Sequence, residues 1–222
     1  MILDIPDLLS PAEVAAVAAL CREMPFADGR SSNPANQTKN NLQADLAAPP
    51  AAEVAKIISA AYTRSRLFYD FALPKQIAAP LLARYEAGMH YGIHADVPHM
   101  KVPGARMLRS DLSSTVFIAD PAAYQGGELV IYLGTQPVVM KGQAGSAVVY
   151  PSTTLHEVRP VTAGVRLVAV TFIESLIRDE AQRTLMYELN EVAVLEGLKM
   201  SWQNRVRLES VRFNLMRMWS ED

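Results

Sequence analysis

Eight short apolar segments separated by turn-forming residues occupy the middle of the chain, and no other feature limits the fold as strictly. The segments are rich in β-branched residues, and glycine, proline, aspartate or asparagine lies between them from about Phe68 to Phe172. Short strands at this spacing are typical of antiparallel sandwiches and barrels. We therefore predict a mainly β fold of the sandwich or jelly-roll type, with strands at 79–87, 90–96, 112–119, 127–133, 136–140, 145–150, 154–160 and 165–173.

Two helices are predicted before this β region. Ser10 suits an N-cap, Pro11 the first helical position and Glu13 the closing residue of a capping box, so the first helix begins there. A second helix with one apolar face follows Pro50. The polar segment 27–43 between them is rich in turn-forming residues and is predicted to be a loop, either at the surface or over a pocket.

Two long helices are predicted after the β region. The stretches 176–198 and 202–219 are amphipathic and contain almost no glycine or proline. Their apolar faces fit either helices that cover the sheet or an interface between subunits of a homo-oligomer. We therefore divide the chain into a β domain with N-terminal helices, 1–175, and a C-terminal helical extension, 176–222. The two apolar stripes are Leu185, Met186, Leu189, Val192 and Leu195, and Val206, Leu208, Val211, Leu215 and Met218.

Composition narrows the class of protein and its partners. A chain of 222 residues with 50% hydrophobic residues is large enough to bury a core. The formal net charge of −2 gives no strong field for nucleic acid or an anionic membrane. Cys21 is the only cysteine, which excludes an intramolecular disulfide and is typical of a reducing compartment. No signal peptide and no apolar run of about 18 residues is present. We therefore expect a soluble cytoplasmic protein that binds neither nucleic acid nor membranes.

A His-x-Asp pair, His94 and Asp96, lies in one predicted strand. Residues two apart on a strand point to the same side, so this imidazole and carboxylate can hold one ion together. The chain has four histidines, and His156 lies in a later predicted strand. Two histidines and one carboxylate form the facial triad that leaves open positions on non-haem Fe(II). The sequence thus indicates a candidate metal site.

Arg166, ten residues after His156, is a second candidate group for the site. If the strands that carry them pair in an even register, both side chains point to the same face; an odd register separates them. A guanidinium near the metal suits a carboxylate bidentately. Metal and guanidinium together would bind a 2-oxo diacid at both ends.

The roles of four other residues are open at this stage. His90 lies four residues before His94, which is the spacing of a helical zinc pair, but the glycines two residues before and after His90 disfavour a helix. His99 is expected in a loop near the mouth of the site. Arg109 and Asp111 either form an ion pair with each other or line the pocket. In chain order these residues are His90, His99, Arg109 and Asp111.

A set of motifs that extends over almost the whole chain resembles the bacterial PKHD-type hydroxylases, which are Fe(II)- and 2-oxoglutarate-dependent dioxygenases similar to prolyl 4-hydroxylase catalytic domains. No single motif is specific, but their order and combination are. The chain departs from the pattern at 31–33 and at His90, near the substrate end. The motifs are Asp28-Gly-Arg30, Lys39-Asn-Asn41, Arg84-Tyr85, Tyr91-Gly92, His94-x-Asp96, Arg109-x-Asp-Leu-Ser113, Tyr124-x-Gly-Gly-Glu-Leu129, Tyr150-Pro-Ser-x-x-x-His156, Pro160-Val-x-x-Gly-x-Arg166 and Asn214-Leu215.

This resemblance implies a double-stranded β-helix, a jelly-roll or cupin-like barrel, flanked by helices. It implies that His94, Asp96 and His156 bind iron, that Arg166 binds the distal carboxylate of 2-oxoglutarate, and that Tyr85 lines the cosubstrate pocket. The implied cofactors are Fe(II), 2-oxoglutarate and O2, with ascorbate (vitamin C) as a candidate reductant. The implied reaction is hydroxylation with decarboxylation of 2-oxoglutarate to succinate and CO2.

Two other functions are weighed against this one. The first is a sensor that binds a metal or a 2-oxo acid on the same barrel without turnover. The second is a cupin-like isomerase, which would bring more histidines to its metal than this chain supplies. The substrate is open: the family name suggests prolyl or lysyl side chains, whereas a role in iron uptake suggests a small metabolite or a siderophore-related molecule.

Overall fold

The computed structural model describes residues 1–33, 36–101 and 107–221. These residues form five α-helices: α1 (Pro11–Arg22), α2 (Pro49–Arg64), α3 (Arg66–Ala72), α4 (Glu180–Glu196) and α5 (Trp202–Trp219). They also form seventeen strands: β1 (Leu3–Ile5), β2 (Phe26–Asp28), β3 (Lys39–Asn40), β4 (Leu42–Ala44), β5 (Pro74–Ile77), β6 (Leu81–Tyr85), β7 (His90–His94), β8 (His99–Met100), β9 (Leu108–Arg109), β10 (Leu112–Phe117), β11 (Tyr124–Gly126), β12 (Leu129–Leu133), β13 (Gln136–Met140), β14 (Ala147–Pro151), β15 (His156–Val158), β16 (Val161–Gly164) and β17 (Arg166–Ser175).

Two antiparallel sheets form the body of the protein. The major sheet has the order β1-β14-β10-β17-β6-β4-β2, with β5 also paired to β17. The minor sheet has the order β13-β12-β15-β7-β3. Side chains from both sheets fill one shared interior, as the clustering of Tyr85, Ile131, Val148 and Val168 shows. This arrangement matches the double-stranded β-helix that the resemblance implied.

The two faces of the major sheet have different chemistry because side chains alternate along each strand. On β10, Leu112 and Val116 join the core on the helix side, while Ser113, Thr115 and Phe117 point to the interior between the sheets. All six residues of this strand are buried, so one central strand supplies both a hydrophobic core and part of a polar site.

Helices α1, α2 and α3 cover the outer face of the major sheet. Val17, Ile58 and Phe68 are fully buried and pack in one cluster with residues of β10 and β17. Helix α1 begins as predicted: the Ser10 side chain accepts from the backbone N–H of Glu13, and the Glu13 carboxylate accepts from the backbone N–H of Ser10. This layer fixes the sheet from outside and leaves the interior face free for the site.

Several predicted boundaries differ from the structure. The β region does not begin at about Phe68, because 66–72 form α3, and Ser65 caps that helix by accepting from the Phe68 N–H at 3.3 Å. The predicted loop 27–43 contains β3 and parts of β2 and β4, with 34–35 outside the described residues. Nine strands of two to four residues were missed, since so few residues carry no periodicity of their own.

The C-terminal helices lie at the predicted places, and their strongest contacts are with other helices rather than with the sheets. Helix α4 packs against α3 and α5. Of its predicted apolar stripe only Met186 is buried, while Leu185 and Leu195 are exposed. Among the described residues of α5 none is buried. Among the residues that the structure describes, no helix combines the length and apolarity needed to cross a bilayer.

Candidate metal centre and active site

His94, Asp96 and His156 converge at one end of the interior between the sheets. Each offers one ligating atom, and these atoms all lie within 4.8 Å of one another. The Asp96 carboxylate is 4.0 Å from Nε2 of His94 and 3.6 Å from Nε2 of His156. An ion bound at about 2.1 Å from each ligand would bridge atoms roughly 4 Å apart. The three groups are therefore close enough together to be candidate ligands of one metal ion.

Strand pairing brings the two histidines together. His156 of β15 is the direct partner of His94 of β7, and their ring centroids are 4.3 Å apart. The register shifts between this pair and the next one, Val158 and Tyr91. This irregularity lets the Tyr91 ring stack on the His94 ring, with centroids 3.6 Å apart and an interplanar angle of 16°.

Both imidazoles have their Nε2 atoms free for a metal. Nδ1 of His94 lies 2.8 Å from the carbonyl oxygen of Gly92, and Nδ1 of His156 lies 2.9 Å from that of Thr154. A carbonyl can only accept, so each Nδ1 must carry the proton and donate it. The lone pair of each neutral ring then lies on Nε2, on the side of the Asp96 carboxylate.

Burial favours the neutral form of His94. Desolvation is the largest cause that lowers the pKa of His94 to about 4, and the neighbouring His156 adds to it. The backbone carbonyl of Gly92 and the Asp96 carboxylate act in the opposite direction. At neutral pH the ring is therefore uncharged, as a metal ligand must be.

A chain of two buried serine hydroxyl groups leads to the Asp96 carboxylate. Oγ of Ser113 donates to Oδ2 of Asp96 at 2.5 Å, and Oγ of Ser152 lies 2.7 Å from Oγ of Ser113. Both serines are at most 3% exposed. The carbonyl of Ser152 also accepts from the Asp96 backbone N–H at 3.4 Å. These protein contacts fix the orientation of the carboxylate.

Arg166 lies in the same interior as the three candidate ligands, on the opposite sheet. Arg166 is 1% exposed, and its Nε and Nη1 atoms have no hydrogen-bond partner among the described residues. It is the strand partner of Tyr85, and its guanidinium lies over the Tyr85 ring at 5.0 Å from the centroid. A Cβ at Gly127 would lie 3.1 Å from Cδ of Arg166, so glycine leaves room for this side chain. A buried, unpaired guanidinium requires an anion.

One cavity of about 130 Å³ joins the metal triad to Arg166. Apolar and aromatic side chains from both sheets form most of its wall, including Tyr150, Leu129 and Val158. Tyr85 is 3% exposed and Tyr150 2% exposed. The cavity therefore combines a candidate metal site, a buried cation and a largely apolar lining.

His156 and Arg166 do not lie on neighbouring strands, so the register question posed from the sequence does not arise. β15 belongs to the minor sheet and β17 to the major sheet. Strand β16, which lies between them in sequence, pairs with β11 instead. The two side chains line the same cavity because the sheets face each other.

The four residues without assigned roles lie outside this cavity. His90 contacts the carbonyl of Gly88, and His99 is exposed in β8 rather than in a loop. Arg109 and Asp111 form an ion pair with N–O distances of 2.7 and 3.0 Å, one of the two roles considered for them. Together with His99 they line a second, open cleft beside Asp96.

Four residues of the site were not predicted as such from the sequence: Ser113, Ser152, Tyr91 and Lys39. Hydroxyl groups at alternate positions of the apolar strand β10 were a usable signal, because a buried hydroxyl needs a partner. The stacking of Tyr91 on His94 had no such signal, since it depends on the register shift between β7 and β15.

Comparison with known proteins agrees with this geometry. The sequence model of the 2OG-Fe(II) oxygenase superfamily matches residues 80–174. The chain is 48% identical to a PKHD-type hydroxylase of Sphingopyxis alaskensis over 213 residues, which are 96% of this chain and 97% of that protein. It is 41% identical to a PKHD-type hydroxylase of Paraburkholderia phymatum, and the alignment covers 100% of both chains.

Solved structures resemble the fold at lower sequence identity. A 2OG-Fe(II) oxygenase family oxidoreductase from Burkholderia pseudomallei has a TM-score of 0.62 and 20% identity, covering 78% of this chain and 85% of that one. A prolyl-4-hydroxylase from Pseudomonas putida has a TM-score of 0.55 and 19% identity, covering 78% and 92%. These likenesses concern the fold alone, and they confirm the double-stranded β-helix.

Proposed function

This chain belongs to the PKHD-type hydroxylases of the 2OG-Fe(II) oxygenase superfamily, and we propose that His94, Asp96 and His156 are the ligands that hold its iron. It is an Fe(II)- and 2-oxoglutarate-dependent dioxygenase that hydroxylates its substrate and converts 2-oxoglutarate to succinate and CO2. The observation that supports the ligand set is the convergence of these three groups in the cavity that also contains Arg166.

The residues present suit the cofactors of the family. Two neutral imidazoles and one carboxylate form the donor set of a facial triad, which leaves positions open for other ligands. The unpaired nitrogen atoms of Arg166 suit the distal carboxylate of 2-oxoglutarate, which a planar guanidinium can bind bidentately. Iron, when bound, supplies the oxidative chemistry that no side chain can perform.

The side chains of the cavity bind and orient. The Gly92 and Thr154 carbonyl groups keep the protons of His94 and His156 on Nδ1. Ser113 keeps the Asp96 carboxylate turned toward the histidines. We assign to Tyr85 a place along 2-oxoglutarate, because it pairs with Arg166 across the strands and its ring faces the guanidinium. The apolar wall keeps bulk water away from the reacting groups.

The sensor and isomerase hypotheses are set aside. Full-length relatives at 41–48% identity are hydroxylases, and the chain retains a complete donor set and the buried arginine.

The remaining parts of the proposal concern the setting of the enzyme. The substrate is a small molecule or a peptide. We propose a cytoplasmic location, supported by the single cysteine Cys21, a buried thiol whose pKa burial raises to about 11. We also propose ascorbate as the reductant, which the amount of succinate that each enzyme molecule forms with and without ascorbate would test. Cell fractionation would test the location.

We propose that 1–175 form the catalytic domain and that 176–222 form an extension through which two copies associate. Exposed apolar side chains on α4 and α5 support this assignment, among them Leu195, Trp202 and Phe213. The extension remains anchored to the catalytic domain through Tyr187 of α4, whose ring packs edge-on against Phe71 with centroids 5.4 Å apart.

Anaerobic titration with Fe(II) and then 2-oxoglutarate tests the proposed site. The wild-type protein is expected to develop the weak visible charge-transfer band of an Fe(II)–2-oxo acid chelate. His94→Ala should lose the band, whereas His90→Ala, on the same strand, should keep it. Arg166→Ala should need at least about 30-fold more 2-oxoglutarate to develop the band, because truncation of one partner of a buried charge pair costs about 2 kcal/mol or more. Wild-type protein that binds iron but forms no band would refute the proposal.

A further inference from the structure

Lys39 is a cation of the active-site cavity that none of the assigned roles uses. It lies in β3, where it is the strand partner of Tyr91 in β7. Its residue is 5% exposed, and it lines the same cavity as the metal triad and Arg166. The side chain of a buried lysine on a cavity wall needs an explanation, because lysine is almost never fully buried without a partner.

The contacts of Lys39 do not satisfy its ammonium group. Nζ donates to Oγ of Ser32 at 2.6 Å and lies 5.3 Å from the centroid of the Tyr91 ring. Ser32 is the only hydrogen-bond partner of Nζ among the described residues, and none of their carboxylates forms an ion pair with it within 4.0 Å. An ammonium has three donors, so two remain for a ligand.

The nearest acidic side chains are already engaged. Burial lowers the pKa of Lys39, while Asp96 and Asp28 raise it from a distance. Asp28 is paired with Arg30 on the surface, and Asp96 belongs to the candidate metal site. No other acidic residue lines the cavity among its described residues.

Charge balance in the loaded site leaves Lys39 without a counter-charge. The two charges of ferrous iron and the guanidinium of Arg166 balance the Asp96 carboxylate and the two carboxylates of 2-oxoglutarate. The ammonium of Lys39 is then the one charge of the described cavity residues that no cofactor neutralises. A desolvated cation of this kind strongly favours an anion as its next ligand.

We propose that Lys39 binds a carboxylate of the substrate, so that the molecule hydroxylated by this enzyme is an organic acid. The inference rests on the proposed function, because it assigns the part of the cavity that iron and 2-oxoglutarate leave free. Ser32 and Asn33 lie beside Lys39 as neutral hydrogen-bonding groups, and Met100 and Phe172 offer apolar surface for the carbon skeleton.

Matched carboxylate and amide probes test the inference. Wild-type enzyme is loaded anaerobically with Fe(II) and saturating 2-oxoglutarate, and the change of the chelate band is titrated with N-acetyl-L-leucine and with N-acetyl-L-leucinamide. We expect the carboxylate to bind about tenfold more tightly than the amide, as removal of a desolvated charge partner implies. Lys39→Met should abolish the preference, and Lys39→Arg should retain it.

Lys141→Met serves as the matched control. Nζ of Lys141 also lies over a tyrosine ring, at 4.3 Å from the Tyr124 centroid, but Lys141 does not line the cavity. This variant should keep the carboxylate preference of the wild type, whereas loss of the preference in both methionine variants would trace it to general destabilisation and overturn the inference.

The outcomes separate this inference from the proposed function. If the band forms but wild-type enzyme binds both probes equally, or binds neither, Lys39 does not select a carboxylate and the proposed function stands. If Lys39→Met weakens 2-oxoglutarate binding, or if the carboxylate displaces 2-oxoglutarate, Lys39 serves the cosubstrate and the inference is wrong. If wild-type enzyme forms no band, the proposed function fails and the inference falls with it.

Discussion

The serine pair next to Asp96 shows how single residues orient a candidate metal ligand. Ser113 donates to the carboxylate and is itself in contact with Ser152, while the two imidazoles are turned by backbone carbonyl groups. All three candidate ligands therefore have fixed orientations from protein contacts alone. Such outer partners commonly set metal affinity by orienting the ligands.

Ser113→Ala is expected to lower Fe(II) affinity by about 10- to 100-fold, because the carboxylate loses the hydrogen bond that aims it. Competition titration with a chelator measures this change directly, without turnover. Ser114→Ala is the matched control: its hydroxyl group lies on the helix side of the same strand, bonded to the carbonyl of Val148 and to Tyr62. Equal losses of affinity in both variants would show that Ser113 acts only through the stability of the strand.

At the scale of elements, the start of α1 is tied to the end of α2. The Glu13 carboxylate, which closes the capping box, also accepts from Nη1 and Nη2 of Arg64 at 2.7 and 2.5 Å. These hydrogen bonds from Arg64 are the largest cause that lowers the pKa of Glu13 from 4.5 to about 2, followed by the one from the Ser10 backbone. One carboxylate thus joins a helix cap to the packing of two helices.

The pH dependence of stability follows from this shift. The folded-state pKa of Glu13 lies below the unfolded value, so its ionised form stabilises the fold above about pH 4.5, and that contribution is lost as the pH falls toward 2. Glu13→Gln should lower the free energy of unfolding by about 1 kcal/mol at pH 7, the usual worth of a helix cap, and by much less near pH 2. Denaturant unfolding at both pH values measures the difference.

Glu53→Gln, at an exposed carboxylate in the first turns of α2, is the control for a general effect of removing a charge. It should change stability by only a small amount at either pH, because exposed ion pairs contribute little. A Glu13→Gln effect of the same size at pH 7 and pH 2 would contradict the role assigned to the Arg64 contact.

A second connection between elements joins the C-terminal end of the chain to the neighbourhood of the site. Arg109 pairs with Asp111 and with Glu221, and Glu221 donates its backbone N–H to the carbonyl of Leu176. The carbonyl of Asp111 in turn accepts from the backbone N–H of Ser152, one of the serines below Asp96. The end of the chain therefore supports the segment that holds the candidate metal ligand.

At the scale of the whole molecule, the C-terminal helices carry much of the exposed apolar surface. Trp202, Val206 and Phe213 are 70%, 43% and 54% exposed, and their spacing of four and seven residues aligns them on one face of α5. Exposed apolar faces of this kind mark interaction surfaces more often than isolated apolar residues do. This stripe is the surface that we expect to join two copies.

Val206→Glu should dissociate the predicted homo-oligomer, because a charge would have to be buried at the centre of the stripe. Sedimentation velocity of the full chain measures the change in mass. Leu46→Glu, at another exposed apolar residue far from α5 in sequence, should leave the mass unchanged. A wild-type protein that sediments as a monomer over the accessible concentration range would show the interface prediction to be wrong.

The class of fold, four of the five described helices, every described strand of five or more residues and the candidate metal ligands of the site could be predicted from the sequence. Alternation and turn signals are local, so β10, β12, β13 and β17 were predicted with ends that differ by a few residues at most. The capping signal at Ser10 is also local, and the structure confirms it. The residue types of the triad restrict the chemistry of a metal site wherever the fold brings them together.

Which of these residues come together depends on the tertiary structure. His156 and Arg166 are ten residues apart in the sequence, yet they lie on opposite sheets and share a cavity because the sheets face each other. The contacts of Ser113 with Asp96, and of Lys39 with Ser32 and Tyr91, depend on strand order and register. Burial and the absence of an ion pair make Lys39 informative, and both are properties of packing that no local pattern encodes.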